Sequence, residues 1–125
     1  MEAISRGASR GVFVESEPAA FRCLRKNVDS LGAAEAEILL LDYRQALRRL
    51  RGRSMRFDLV FLDPPYGKGL AGASAAGLSR AGLVGSGGTV VVEESVRAPD
   101  DAFPEGWTLS ADRRYGDTRV MLFRV

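Results

Sequence analysis

The sequence predicts an open α/β sheet, mostly parallel, with an antiparallel edge made by a C-terminal hairpin. Two patterns carry that reading. Short apolar runs alternate with helix-periodic segments along most of the chain, and two β-rich runs flank Gly116-Asp117 near its end. The 125 residues are enough for one compact core and too few for two ordinary domains, and no repeat or linker divides them. A single domain over 1–125 is therefore expected.

Taken in order, Gly11-Val-Phe-Val-Glu15 is a short apolar strand ending in an acid. Ser16 as N-cap and Pro18 in the first turn start a helix whose apolar face is Phe21, Leu24, Val28 and Leu31, with Gly32 as its stop. Glu37 to Leu41 repeats the strand pattern. Asp42 can cap the next helix, which has Ala46, Leu47 and Leu50 as its stripe. Phe57-Asp-Leu-Val-Phe-Leu62 has the continuous apolar character of a strand covered on both faces, and it runs into Asp63-Pro-Pro-Tyr66, where the prolines end it. Leu70 to Ala81 reads as a weaker helix diluted by Gly72 and Gly77, within a stretch from Gly67 to Gly88 rich in Gly, Ala and Ser. Gly87-Gly-Thr-Val-Val-Val-Glu93 supplies a further central strand with its glycines at the turn. A polar stretch with Pro99 and Pro104 follows, and Trp107 to Tyr115 then pairs with Thr118 to Val125.

Composition excludes several chemistries. The chain has one cysteine, Cys23, and no histidine, so neither a disulfide within the chain, a multi-cysteine zinc site nor a Ser-His-Asp triad can form, and no metal site is expected. The start, MEAISRGASR, lacks the apolar stretch of a secretory signal. The aliphatic runs Ile38 to Leu41 and Val90 to Val92 fall far short of the roughly 18 apolar residues that cross a bilayer, so a cytoplasmic protein without membrane contact is expected. The formal net charge of +2 is too small to demand a polyanion partner, but the charge is unevenly spread. Six arginines lie between Arg44 and Arg56, with no acid between Asp42 and Asp58, which makes a local positive field able to hold phosphates. The plainer reading of that run is a solvated helix face in a chain that uses 16 arginines to 2 lysines.

In open parallel sheets the ligand lies beyond the carboxyl ends of the strands. Three of those ends carry acids here: Glu15, Asp42 and Asp63. A nucleoside-type ligand would use such a set, one carboxylate accepting from ribose hydroxyls and another from an exocyclic amine, although Glu15 also reads as a solvated strand end and Asp42 as an N-cap. Asp63-Pro64-Pro65-Tyr66 carries the sharpest chemistry. The two prolines fix φ and remove backbone donors, so the Asp63 carboxylate and the Pro64 carbonyl can act as paired acceptors for an NH2 group. A base amine is a poor nucleophile because its lone pair is delocalised. Two acceptors aligned on its hydrogens favour a pyramidal nitrogen and place it for in-line attack, while Tyr66 can stack on the base.

Asp63-Pro-Pro-Tyr66 placed after Phe57 to Leu62 resembles the catalytic motif of S-adenosylmethionine-dependent amino-group methyltransferases acting on nucleic-acid bases. Glu2-Ala-Ile-Ser-Arg-Gly-Ala8, Gly11-Val-Phe-Val-Glu15, Leu24-Arg-Lys-Asn27 and Tyr115-Gly-Asp-Thr-Arg119 are, in order, similar to the RsmD family, which methylates the N2 amine of a guanine in bacterial small-subunit ribosomal RNA. The resemblance implies a Rossmann-like class I methyltransferase sheet, S-adenosylmethionine as cofactor, and ribosomal RNA or the assembling small subunit as partner. It implies cofactor contacts from Glu15 at the ribose, from Asp42 near the adenine and from Tyr43 beside it. It also implies that Asp63, Pro64, Pro65 and Tyr66 hold the target base. Arg44, Arg48, Arg49, Lys68, Arg113 and Arg114 become candidate RNA contacts.

One departure bears on all of this. Family members begin with a basic arm, then a strand and a glycine-rich loop that wraps the methionine part of the cofactor; this chain starts inside the helix that follows. The expectation is a truncated domain lacking a strand between the Val12 and Leu59 strands, with exposed edges that favour self-association. Two rivals stay open: a non-catalytic α/β module that keeps the fold and RNA affinity without binding cofactor, and a DNA amino-methyltransferase sharing the Asp-Pro-Pro-Tyr logic.

Overall fold

The computed structural model describes residues 11–15, 18–19, 22–23, 25–26, 36–40, 43–53, 56–62, 70–97 and 102–125. The chain divides into two compact units, Met1–Ala46 and Leu47–Val125, a division that no linker in the sequence marks.

In the first unit, β1 (Gly11–Glu15) and β2 (Ala36–Leu40) pair in parallel, from Gly11 opposite Ala36 to Glu15 opposite Leu40. Parallel neighbours need a crossover, and Pro18, Ala19, Arg22, Cys23, Arg25 and Lys26 between them are helical. All six are exposed, and they occupy the positions complementary to the expected apolar face; Phe21, Leu24, Val28 and Leu31 themselves lie outside the described residues.

The unit boundary falls inside α1 (Tyr43–Gly52). Its periodicity works as the sequence implies: Ala46 and Leu50 are buried, while Arg44, Gln45, Arg48, Arg49 and Arg51 face solvent. Arg49 and Arg51 in the last turn suit the negative end of the helix dipole, and Arg53 N–H closes the turn on the Leu50 carbonyl at 3.1 Å.

The second unit holds a four-stranded sheet in the order β3-β4-β6-β5, built from β3 (Phe57–Leu62), β4 (Val84–Ser95), β5 (Thr108–Tyr115) and β6 (Thr118–Arg124). β3 and β4 run parallel; β4 with β6 and β6 with β5 are antiparallel.

α2 (Leu70–Ala81) ends in a paired cap. Gly82, at φ 63°, donates to the Ser79 carbonyl at 3.1 Å, and Leu83 N–H donates to the Leu78 carbonyl at 3.2 Å. This is the Schellman pattern, and the apolar contact that accompanies it comes from Leu78 and Leu83, both buried.

β4 begins three residues earlier than the glycines suggest. Phe57 pairs with Val84 and Leu59 with Thr89, so the Gly85 to Gly88 segment bulges within the strand instead of preceding it. A Cβ at Gly88 would stand 2.8 Å from the Gly85 carbonyl oxygen and 2.8 Å from Val84 Cγ1, which is why the bulge needs glycine there.

Strand register assigns the sheet faces. Val60 opposite Val90 opposite Phe123, and Leu62 opposite Val92 opposite Met121, put one continuous apolar layer on one face. With Ala71 of α2 these buried residues form the core, and Phe103 and Trp107 pack on it from the segment between β4 and β5. Phe103 and Trp107 lie 4.5 Å and 5.9 Å from the Phe123 ring. The sequence reading places Phe103 in a polar stretch and Trp107 at the start of the hairpin strand; both instead precede β5 and pack on the core. The opposite face carries Leu59 and Phe61, which are 42% and 65% exposed.

Candidate active site

Each candidate residue takes its position from a strand end. Glu15 is the last residue of β1 and lies in register with Leu40, the last residue of β2. Asp42 follows two residues later and lies outside the described residues; Tyr43 opens α1. An acid at the carboxyl end of a parallel strand has the chemistry to accept both hydroxyls of a ribose diol.

In the second unit β3 runs parallel to β4 up to Leu62 opposite Val92, and Asp63 is the next residue of the chain. Asp63, Pro64, Pro65, Tyr66 and Lys68 lie outside the described residues. What is described is their platform. Val60 and Leu62 are anchored in the core, so the strand that delivers the motif is held by packing as well as by its ladder to β4.

The same end of the sheet receives the β5–β6 hairpin. Ser95, the last residue of β4, is opposite Thr118, and Thr118 is opposite Tyr115, so the turn at Gly116-Asp117 lies beyond the carboxyl ends of β3 and β4. Arg113, Arg114 and Tyr115 are exposed there, with Tyr115 at 62%. One carboxylate of the hairpin is already committed: Arg119 donates from Nε to Asp112 Oδ1 at 2.9 Å and from Nη2 to Oδ2 at 2.7 Å. That two-pronged hydrogen bond from Arg119 holds the Asp112 carboxyl below its ordinary range against the opposing effect of desolvation, and the charges of Arg119 and Arg114 add to it.

The arginines named from sequence do not form one cluster. Arg44, Arg48 and Arg49 belong to α1, and Arg113 and Arg114 to β5. Arg44 and Arg48, four residues apart, share an exposed helix face. Tyr115, which the sequence reading names only within a family motif, emerges at the same end of the sheet because the Gly116-Asp117 turn sets the hairpin register.

Solved structures match the whole arrangement. A conserved hypothetical protein of Streptococcus pyogenes superposes with a TM-score of 0.88 at 29% identity, over 98% of this chain and 76% of that one. A candidate methyltransferase of Escherichia coli superposes with a TM-score of 0.84 at 25% identity, over 98% of this chain and 66% of that one. The fold is thus that of the class I methyltransferases, the S-adenosylmethionine-dependent α/β class. Within it, residues 1–124 match the model of the family described as Conserved hypothetical protein 95, and the chain belongs to that family, the RsmD family of the sequence reading. The ribosomal RNA small subunit methyltransferase D of Buchnera aphidicola is 28% identical over 109 residues, which are 87% of this chain and 56% of that protein. The protein of the same name from Escherichia coli K12 is 26% identical over 124 residues, 99% of this chain and 61% of that protein. The chain thus spans less than two thirds of the length of these relatives.

Proposed function

We propose that this chain performs S-adenosylmethionine-dependent methyl transfer to an exocyclic base amine, guanine N2 of small-subunit ribosomal RNA. The observation that carries the reading is Asp63-Pro64-Pro65-Tyr66 following directly on a core-anchored parallel strand, in a chain whose relatives are named as methyltransferases of that RNA.

The cofactor, when bound, supplies a methyl group already activated on a sulfonium, so the protein's work is positioning. Glu15 would accept from the ribose hydroxyls, with Asp42 near the adenine and Tyr43 a further cofactor contact. Asp63 Oδ and the Pro64 carbonyl accept the two amine hydrogens and turn the nitrogen lone pair towards the methyl group, and Pro65 stiffens the turn. Tyr66 stacks on the base and keeps it in the cleft. Transfer would break the methyl–sulfur bond as the N–CH3 bond forms, leaving the neutral thioether of the spent cofactor, and the amine would give up one proton, with the Asp63 carboxylate as its first acceptor.

Arg44, Arg48, Arg49, Lys68, Arg113 and Arg114 would meet RNA phosphates, so affinity should fall steeply with salt. Ribosomal RNA as substrate places the protein in the cytoplasm, and among the described residues no helix is long and apolar enough to cross a membrane.

Calorimetric titration of S-adenosylmethionine, followed by transfer of labelled methyl to 16S-type RNA, tests the reading. Micromolar cofactor binding is expected, with Asp63→Ala reducing transfer by about 100-fold while the fold and cofactor binding persist. A folded chain that binds no cofactor would instead support the non-catalytic module. Transfer to DNA in preference to RNA would favour the DNA enzyme.

A further inference from the structure

Tyr115 stands where the candidate site ends and a substrate chain must continue. Leu62, Val92, Met121 and Asp112 are level across the sheet, and Tyr115 is three residues beyond Asp112 on β5. At about 4.8 Å between strands and about 3.4 Å per residue, Tyr115 lies about 14 Å to the side of the β3 end and about 10 Å further out. A strand of nucleic acid whose target base enters beside β3 would pass this tip within a few nucleotides.

The chemistry of the tip is that of a stacking platform. Strand alternation puts Arg113 and Tyr115 on one face and Arg114 on the other, so the ring is flanked by guanidinium groups on both sides of the ribbon. Among the described residues, the Tyr115 side chain makes no hydrogen bond or ring contact, and Arg113 makes no ion pair. The carboxylate that would otherwise neutralise the ribbon, Asp112, is taken by Arg119. On the face of Arg113 and Tyr115 the nearest strand carboxylate is Glu93, two strands away at about 10 Å; Asp117 sits in the turn itself. A 62%-exposed phenol beside the exposed Arg113 and Arg114 guanidiniums suits an unpaired base with its phosphates better than a protein surface, where such a ring would need an apolar pocket.

We propose that the β5–β6 hairpin tip is a second RNA contact: Tyr115 stacks on an unpaired base near the target nucleotide while Arg113 and Arg114 hold the adjoining phosphates. It rests on the methyltransferase reading for its substrate class and adds a positioning element remote from the reacting atoms.

The test titrates a fluorescently labelled stem-loop RNA with a single-stranded extension into the wild-type chain and into Tyr115→Ala, Tyr115→Phe and Arg113→Gln. Tyr115→Ala should weaken binding about tenfold, while Tyr115→Phe, which keeps the ring, should stay within about twofold. Arg113→Gln should lower the slope of log affinity against log salt by about 1. Thermal melts of all four proteins should coincide, because the altered side chains are exposed. Asp63→Ala is carried as a parallel arm, expected to bind RNA but not to transfer methyl. Wild-type binding that Tyr115→Ala leaves unchanged overturns the hairpin contact and leaves the methyltransferase reading standing. Equal losses in Tyr115→Ala and Tyr115→Phe also overturn the stacking role. A wild-type chain that binds no RNA overturns both.

Discussion

β5 and β3 are the two edges of one sheet, and they are made differently. β5 reads Thr-Leu-Ser-Ala-Asp-Arg-Arg-Tyr: it carries three charges in a row, and it bulges where Ser110 and Ala111 together oppose Leu122, with Ser110 Oγ donating to the Leu122 carbonyl at 3.1 Å. Charges and a bulge are the devices by which natural edge strands refuse further pairing. β3 reads Phe-Asp-Leu-Val-Phe-Leu, with one charge and two large apolar side chains in solvent. Its composition is that of a strand with neighbours on both sides, yet among the described residues its ladder reaches only β4. Such an edge would favour pairing with a second copy of the chain, which is the outcome to test.

Substitutions that alter the two edges sharpen the contrast. The largest effect is expected from Gly88→Ala, which drives a Cβ into backbone at the bulge joining β3 to β4; a loss of about 2–4 kcal/mol, read by denaturant unfolding, should loosen β3 while β5 and β6 stay paired. Val92→Ala, at a fully buried position between both edges, should cost about 2 kcal/mol and weaken the sheet as a whole. Phe61→Lys, on the exposed face of β3, should change stability by less than about 0.5 kcal/mol but shift sedimentation towards monomer; Arg113→Val should do the reverse at the β5 edge. A wild-type chain that stays monomeric at high concentration would break the comparison.

The smallest effect belongs to Asp112. Its pKa in the folded chain is depressed, so the stability its pairing with Arg119 contributes is present above the unfolded value and lost as pH falls through the folded one, in the region below about pH 4. Asp112→Asn should flatten that limb of an acid-unfolding curve, and added salt should do so partly.

Much of the sheet is legible from residues alone because burial imposes period. Phe57–Leu62 and Leu70–Ala81 stand where the apolar pattern puts them, and Gly116-Asp117 announces its hairpin. The start of β4 is not legible: Gly85, Gly87 and Gly88 signal a turn equally well whether the chain leaves the sheet or bulges within it, and only the ladder with Phe57 and Leu59 decides. Phe103 hides among prolines and acids, since an isolated aromatic has no period. The acids at strand ends can be named from sequence because each follows an apolar run. Tyr115 could not be joined to them, because its place at that end depends on three consecutive strand registers. The division into two units also leaves no mark in composition, since its boundary falls inside a well-formed amphipathic helix.

Trp107 is the only tryptophan of the chain, and it rests against Phe123 in the core of the second unit. Its emission is therefore a private reporter: a shift to longer wavelength on unfolding records the loss of the Leu47–Val125 unit and is blind to Met1–Ala46. Far-ultraviolet circular dichroism sums over both. Superimposed transitions from the two signals would mean that the units melt as one cooperative body, and separated transitions would give each its own midpoint without cutting the chain.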